Sequence, residues 1–240
     1  MRRRALERIE QRRLSGKPPA RIFAYVYSRR RWGGGEEPFH SGPGSHDPDV
    51  VAPYVEAVRS FAAGFDPPLD AVDIGCGDFN VGARLRSAFG EYIACDVVPE
   101  LIAFNRAKYA GMDVRFRVVD AVSDPLPAGS VAILKQVLQH LSNDHISQVL
   151  AKLESFSHAI VTEHLPADEV FIPNRDQPTG SGIRLNASPA GGVVVTEPPF
   201  GLAVRSQRTL CTLPHMSGLL TTTLYEIGTG SLSRPPRGAR

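Results

Sequence analysis

Ala71-Val72-Asp73-Ile74-Gly75-Cys76-Gly77-Asp78 decides how the chain folds. A short apolar run stops at two glycines and a helix-like run, Val81–Phe89, follows. Such a strand–turn–helix lets backbone N–H groups approach a ligand closely, with the helix N-terminus favouring negative charge beside it. Alone the pattern is weak, because structural turns and dinucleotide enzymes share it. Asp73 adds information. A pyrophosphate would be repelled by a carboxylate two residues before the first glycine, whereas a ligand carrying an ammonium group would be attracted to it.

Outward from this segment the pattern alternates. Strand-like runs at Ala71–Ile74, Tyr92–Cys95, Val114–Val119, Ser130–Leu134 and Ala159–Thr162 are separated by helix-like runs at Val81–Phe89, Glu100–Tyr109 and Asn143–Phe156. Asp49–Phe65 also has helical spacing, and precedes them. Repeated alternation predicts a doubly wound, mostly parallel α/β sheet with helices on both faces. Two further runs, Arg208–Leu213 and Leu220–Ile227, flank Pro214–Gly218 and read as an antiparallel hairpin. The division expected is a basic arm and possible lid over 1–48, a binding core over 49–164, a loop over 165–204, and an edge hairpin with a tail over 205–240.

Carboxylates close the second and third strand-like runs too. Asp96 can accept both hydroxyls of a ribose, a device that nucleoside-binding enzymes of several kinds use. Asp120 can accept an exocyclic amine of adenine, with Ala121 and Val122 beside the ring. Each aspartate alone could be a helix cap; three ending successive strands point to one nucleoside ligand that also bears an ammonium, as S-adenosylmethionine does.

These residues resemble the class I S-adenosylmethionine-dependent methyltransferases. Residues 71–78 look like their first motif, Asp96 their second-strand acid, Asp120 their third-motif acid, and Leu134–Ser142 the segment after their fourth strand. The resemblance covers about 70–165. It implies a Rossmann-like, seven-stranded sheet and S-adenosyl-L-methionine held by Asp73, Gly75, Cys76, Gly77, Asp96, Val97, Asp120, Ala121 and Gln136. Asn80 departs from it, standing where many members carry a third glycine. A narrower likeness, through Gly77–Asn80, Trp32-Gly33, Ser41–Ser45 and Thr162–His164, is to small bacterial methyltransferases, some associated with glycan modification.

Methyl transfer to oxygen needs a base. In this fold the acceptor lies over the ends of strands four and five, where His140 and His164 fall, with Glu163 able to orient His164 or bind an acceptor hydroxyl. Either histidine can instead be packing. His145 and His158 read as surface positions. Glu163, His164, Asp168 and Glu169 would offer hard ligands to a cation, but Glu163 and His164 point opposite ways if extended, so no metal is expected. In the 165–204 loop, Asn174, Arg175, Asp176, Arg184 and Asn186 suit a multi-hydroxyl acceptor, Arg184 being able to fork onto a phosphate or carboxylate. Trp32 would lid the cofactor or anchor the N-terminal segment.

Composition bounds the rest. The chain has 240 residues, 42% hydrophobic and 22% charged, ordinary values for one globular domain with extensions. Residues 1–31 hold eleven Lys+Arg against Glu7 and Glu10, so the overall charge of +2 hides an arm of +9 on a body of −7. That arm would suit nucleic acid, anionic lipid or an anionic substrate, though a solvated arm is the plainer reading. No run resembling Asn/Asp-Pro-Pro-Tyr/Phe follows the fourth strand, as a nucleic-acid base target would favour; Leu134-Lys135-Gln136-Val137 stands there. Three dispersed cysteines and no apolar run long enough for a membrane helix suggest the cytoplasm. The function expected is methyl transfer to a small or glycan-like acceptor, at oxygen. The rivals are a nicotinamide-dependent oxidoreductase and a silent binding protein using the arm for nucleic acid. Oligomeric state is not legible.

Overall fold

A computed structural model describes Leu14, residues 16–168 and residues 170–227. Residues 1–13 and 15 of the basic arm, Glu169 and the residues after Ile227 lie outside the described residues. The strands are β1 (Ala71–Ile74), β2 (Tyr92–Asp96), β3 (Arg115–Val118), β4 (Val131–Lys135), β5 (His158–Pro166), β6 (Ser206–His215) and β7 (Gly218–Glu226). They form one sheet in the order β3-β2-β1-β4-β5-β7-β6. The first five are parallel and β7 and β6 antiparallel, as the expected doubly wound sheet with a terminal hairpin requires. Chain order reverses between β1 and β4, and in such sheets a crevice opens there at the carboxyl ends of the strands.

The helices are α1 (Pro19–Ser28), α2 (Pro48–Ala62), α3 (Gly82–Leu85), α4 (Pro99–Lys108) and α5 (Asn143–Leu153). Period-2 alternation divides the core. Val72 and Ile74 pack with Ala132, Leu134, Ala159 and Val161 beneath the Ile146, Val149, Leu150 and Leu153 face of α5. Ala71, Ile133, Ile160 and Leu224 face Val51, Tyr54, Val55 and Val58 of α2 on the other side. Asp73 shares the parity of Ala71, so its carboxylate is carried into an apolar layer.

Several elements differ from their expected form. Ile22–Tyr27, an apolar run in the sequence, is the centre of α1, which buries Ile22, Val26 and Tyr27. The helix expected over Val81–Phe89 is a single α turn followed by a 3-10 turn, Arg86–Ala88. β5 runs to Pro166, four residues past the apolar stretch, because β7 pairs with it throughout from His158↔Glu226 to Pro166↔Gly218. β6 likewise continues to His215, leaving Met216 and Ser217 as the hairpin turn. His158, expected at the surface, is buried at the start of β5, its ring edge-on to Phe61 and Phe65. Among the described residues no helix is long and apolar enough to cross a membrane.

Candidate active site

Gly75 (φ 73°) and Gly77 (φ 55°) both adopt left-handed backbone, which folds the turn after β1 over the end of β2. The N–H groups of Gly75 and Cys76 each donate to the Cys95 carbonyl at 2.8 Å. Gly77 N–H donates to one oxygen of Asp96 at 3.2 Å and Val98 N–H to the other at 3.1 Å. Asp96 is thereby aimed into the crevice, 7% exposed, and burial pushes its carboxyl up to about 6 despite those donors. Asp73, equally buried, is pushed up to about 7 by desolvation, although the Tyr92 hydroxyl donates to it at 3.0 Å. Asp120 is a turn residue, accepting from Val122 N–H at 3.0 Å, and its half-buried side chain also lines the crevice. Lys152 locks this turn by donating to the carbonyls of Ala121, Val122 and Asp124.

A strap over residues 41–46 crosses the glycine turn. Ser41 N–H donates to the Asp78 carboxylate at 2.8 Å, His46 Nε2 meets the same oxygen at 2.6 Å, and Asp78 N–H donates back to Ser41 Oγ at 2.8 Å. A Cβ at Gly77 would collide with Ser41 Oγ, so this glycine is needed for the strap as well as for the turn. Asn80, in place of a third glycine, donates to the Ser45 carbonyl at 2.6 Å. The departure noted in the sequence is a fastening.

Opposite, the strap meets β4. Lys135 Nζ donates to the Gly44 carbonyl at 2.6 Å and to Gln136 Oε1 at 2.9 Å, and lies 5.4 Å over the Tyr54 ring. Burial pulls this ammonium down to about 8, while Asp73, Asp78 and Glu163 act to keep it charged. Gln136 is left-handed (φ 58°). The sequence reading passed over Lys135; its only signal was a cation closing an otherwise apolar strand.

At the far end stand the histidines. His164 is 3% exposed. Its Nδ1 is 2.8 Å from Gln139 Oε1 and its Nε2 is 2.7 Å from His215 Nδ1, the two rings stacked with centroids 5.0 Å apart. His140 places Nδ1 3.1 Å from the Gly182 carbonyl and Nε2 3.4 Å from Gln139 Nε2, with Trp32 packed on its ring at 4.9 Å. Desolvation pushes both His140 and His164 down to about 4. His215, which the sequence reading placed in a connecting turn, is brought beside them by the extra length of β6.

Glu163 is engaged by the backbone. Its two oxygens accept the N–H groups of Leu138 and Gln139, each at 2.9 Å, which caps the 3-10 turn Leu138–His140. That cap orients Gln139 and His140, and burial pushes the carboxyl up to about 8. Arg184 is likewise withdrawn from any acceptor. At 2% exposure it donates to the carbonyls of Arg175, Leu138, Gln139 and Leu141 and to Asn143 Oδ1. Asn174 clamps residues 194–198 in the same way. The segment expected as a substrate loop is therefore a cross-braced wall, which presents Gln177, Ser181 and Asn186 to the cavity. Among the described residues no group of three or more His, Cys, Asp or Glu side chains is placed to hold a metal ion.

These parts enclose one cavity of about 830 Å³, within the range of small-molecule and cofactor sites. The donor set suits an amino-acid nucleoside. Asp73 and Lys135 offer opposite charges to an ammonium and a carboxylate, Asp96 has lone pairs for vicinal hydroxyls, and Val97, Ala121 and Val122 supply apolar wall. Two buried carboxylates above their usual pKa range are stabilised by a bound cation and destabilised by a pyrophosphate, which disfavours a nicotinamide dinucleotide.

Residues 71–157 match the family model described as Methyltransferase domain. The fold is that of the class I methyltransferases. S-adenosylmethionine is the cofactor of that class. No curated protein matches the chain. Among solved structures, it is similar to N-methyltransferase NodS from Bradyrhizobium japonicum in complex with S-adenosyl-L-homocysteine, at 10% identity and a TM-score of 0.59, covering 85% of this chain and 98% of that one. Magnesium protoporphyrin IX methyltransferase from Synechocystis with bound S-adenosylhomocysteine matches at 16% identity and 0.52, covering 92% and 99%. Human N-acetylserotonin methyltransferase matches at 15% identity and 0.50; 89% of this chain aligns, but with only 61% of that protein's length. These likenesses establish the fold; the acceptors named differ from one protein to the next.

Proposed function

We propose that the chain transfers a methyl group from S-adenosylmethionine to a hydroxyl oxygen of a small or glycan-like acceptor. The observation that carries this is that buried carboxylates and neutral imidazoles line one cavity. Asp73 and Asp96 lie at the end by β1 and β2, His140, His164 and His215 line the rest, and Lys135 interacts with both groups. Bound at the first end, S-adenosylmethionine would supply an electrophilic methyl carbon on a good leaving group. Asp73, Asp96 and the glycine turn hold the nucleoside and amino-acid ends, and Lys135 faces the amino-acid carboxylate. The remaining task is alignment, where effective molarity can contribute roughly 7–11 kcal/mol, together with removal of one proton from the acceptor.

An amine needs no base once neutral, so buried imidazoles in this position favour oxygen. Gln177, Ser181 and Asn186 offer amide and hydroxyl groups to a multi-hydroxyl acceptor, and Phe23 and Trp32 offer flat apolar faces against which a ring can stack. The three free thiols, Cys76, Cys95 and Cys211, suit a cytoplasmic enzyme.

Labelled S-adenosylmethionine and fractionated cell extract test the reading, with Asp96→Ala as control. Label in glycan or small polar fractions, absent with the variant, is the expected result. Label in nucleic acid would overturn it. Binding of S-adenosylhomocysteine without transfer to any fraction would favour a silent cofactor-binding protein.

A further inference from the structure

The hydrogen-bond chain at the far end of the cavity fixes where its protons are. Gln139 Oε1 accepts the backbone N–H of His164 at 3.3 Å, and Gln139 Nε2 faces His140 Nε2, which together set the orientation of the amide. Its oxygen therefore faces His164 Nδ1 at 2.8 Å. An amide oxygen only accepts, so His164 Nδ1 carries a proton. In a neutral ring the other nitrogen is then an acceptor, and His164 Nε2 stands 2.7 Å from His215 Nδ1, which must donate. His215 Nε2 is left with a free lone pair. The same bookkeeping excludes His140: Nδ1 donates to the Gly182 carbonyl, and Nε2 is met by the Gln139 amide N–H. His164 and His140 have both ring nitrogens engaged within the protein; His215 does not.

We infer that His215 is the general base of the transfer, and that His164 and Gln139 are positioning residues that hold it in the required tautomer. The inference rests on the oxygen-acceptor reading above. His215 is half-buried beside the turn at Met216 and lines the same cavity as Lys135 and His164. In the step, the acceptor O–H bond breaks and its proton passes to His215 Nε2. The oxygen's electron pair bonds to the methyl carbon, and the carbon–sulfur bond breaks with its pair retained on sulfur. The imidazolium then releases its proton to water.

The charged and titratable groups around His215 are Lys135 from β4, His164 from β5 and Asp47 ahead of α2. Burial and Lys135 hold His215 below the usual histidine range, and Asp47 favours the protonated form. The base form is thus present at neutral pH, and the rate falls on the acid side.

The test reads the tautomer and the chemistry separately. Long-range proton–nitrogen spectra of ¹⁵N-histidine-labelled protein with S-adenosylhomocysteine at pH 7.5 should show both His164 and His215 protonated at Nδ1 and bare at Nε2. His215→Asn keeps a donor for His164 but removes the Nε2 lone pair. With labelled S-adenosylmethionine and a panel of methyl glycosides and simple phenols, it should lose on the order of 10²–10⁴-fold in transfer, with the melting shift caused by S-adenosylhomocysteine unchanged. His164→Asn keeps a donor for Gln139 but is too short to place an acceptor where His164 Nε2 stood opposite His215 Nδ1; an Nε2–H signal from His215 should appear and the acid limb of the pH–rate profile should move. Oxygen methylation with His215 protonated at Nε2, or with His215→Asn at wild-type rate, overturns the base assignment alone. Label found only on nitrogen or carbon removes the oxygen reading, and the base role with it, whatever the spectra show.

Discussion

The two ends of the cavity handle polar groups in opposite ways. Beside β1 and β2, Asp73 and Asp96 are buried with lone pairs to spare and carboxyls raised to about 7 and about 6. Between β4, β5 and the braced segment 170–205, Glu163, Arg184 and Asn174 are equally buried, but nearly every polar atom meets the backbone. An unpaired buried charge is costly unless a ligand completes it. On the proposed reading the first end stores that cost as affinity for a cation, and the second uses its charges to hold the walls and leaves neutral imidazoles for the chemistry.

From that contrast the largest effect belongs to the braced end and is structural. Arg184→Ala takes their donor from the Arg175 and Leu141 carbonyls and from Asn143 Oδ1, and weakens the bonding of Leu138 and Gln139; it should destabilise the fold by about 3–5 kcal/mol in denaturant unfolding. A variant of unchanged stability would mean that the wall is not braced as described. Asp96→Ala should weaken S-adenosylhomocysteine binding on the order of 100-fold by calorimetry, the equivalent of one or two charge-assisted hydrogen bonds, with a smaller loss of stability from the Gly77 and Val98 N–H groups it leaves without an acceptor.

Next comes a pH effect. A bound ammonium favours ionised Asp73, so below the free protein's value of about 7 binding must release a proton, and affinity should fall towards tenfold per pH unit. Above that value the dependence should flatten, and Asp73→Asn should remove the break. In the ligand-free protein the sign runs the other way. A carboxyl raised by folding adds stability below its unfolded pKa, near 4, and that contribution is lost as pH rises through 7. His140 and His164, lowered to about 4, add stability above about 6.5 that is lost as pH falls towards 4. Smallest is Ser41→Ala, which takes one acceptor from Asp78 N–H and should cost about 1 kcal/mol of melting stability.

The same contrast separates what could be read in the sequence from what could not. The end by β1 and β2 is built locally: an apolar run, a turn and a carboxylate at a strand end occur within a few residues, and Asp73, Asp96 and Asp120 all line the cavity. The acceptor end is assembled from distant parts. His215 joins His164 across 51 residues, and only the antiparallel pairing of β7 with β5 carries β6 that far. Arg184 has the composition of a ligand-binding arginine, and its burial depends on carbonyls more than forty residues away. His158 looked exposed because its neighbours, Phe61 near the end of α2 and Phe65 just beyond it, lie far away in the sequence. Strand lengths were underestimated wherever a partner strand, and not an apolar side chain, extends them.

Trp32 is the sole tryptophan of the chain, and it lies on His140 with Tyr27 and Phe23 around it. Indole emission therefore comes from the roof of the cavity and from nowhere else. A protonated imidazole quenches an adjacent indole by electron transfer more strongly than a neutral one, and a ligand entering beneath changes the water around it. Fluorescence of the unlabelled protein thus gives a continuous optical record of cofactor arrival, acceptor arrival and the charge of His140, with no engineered probe.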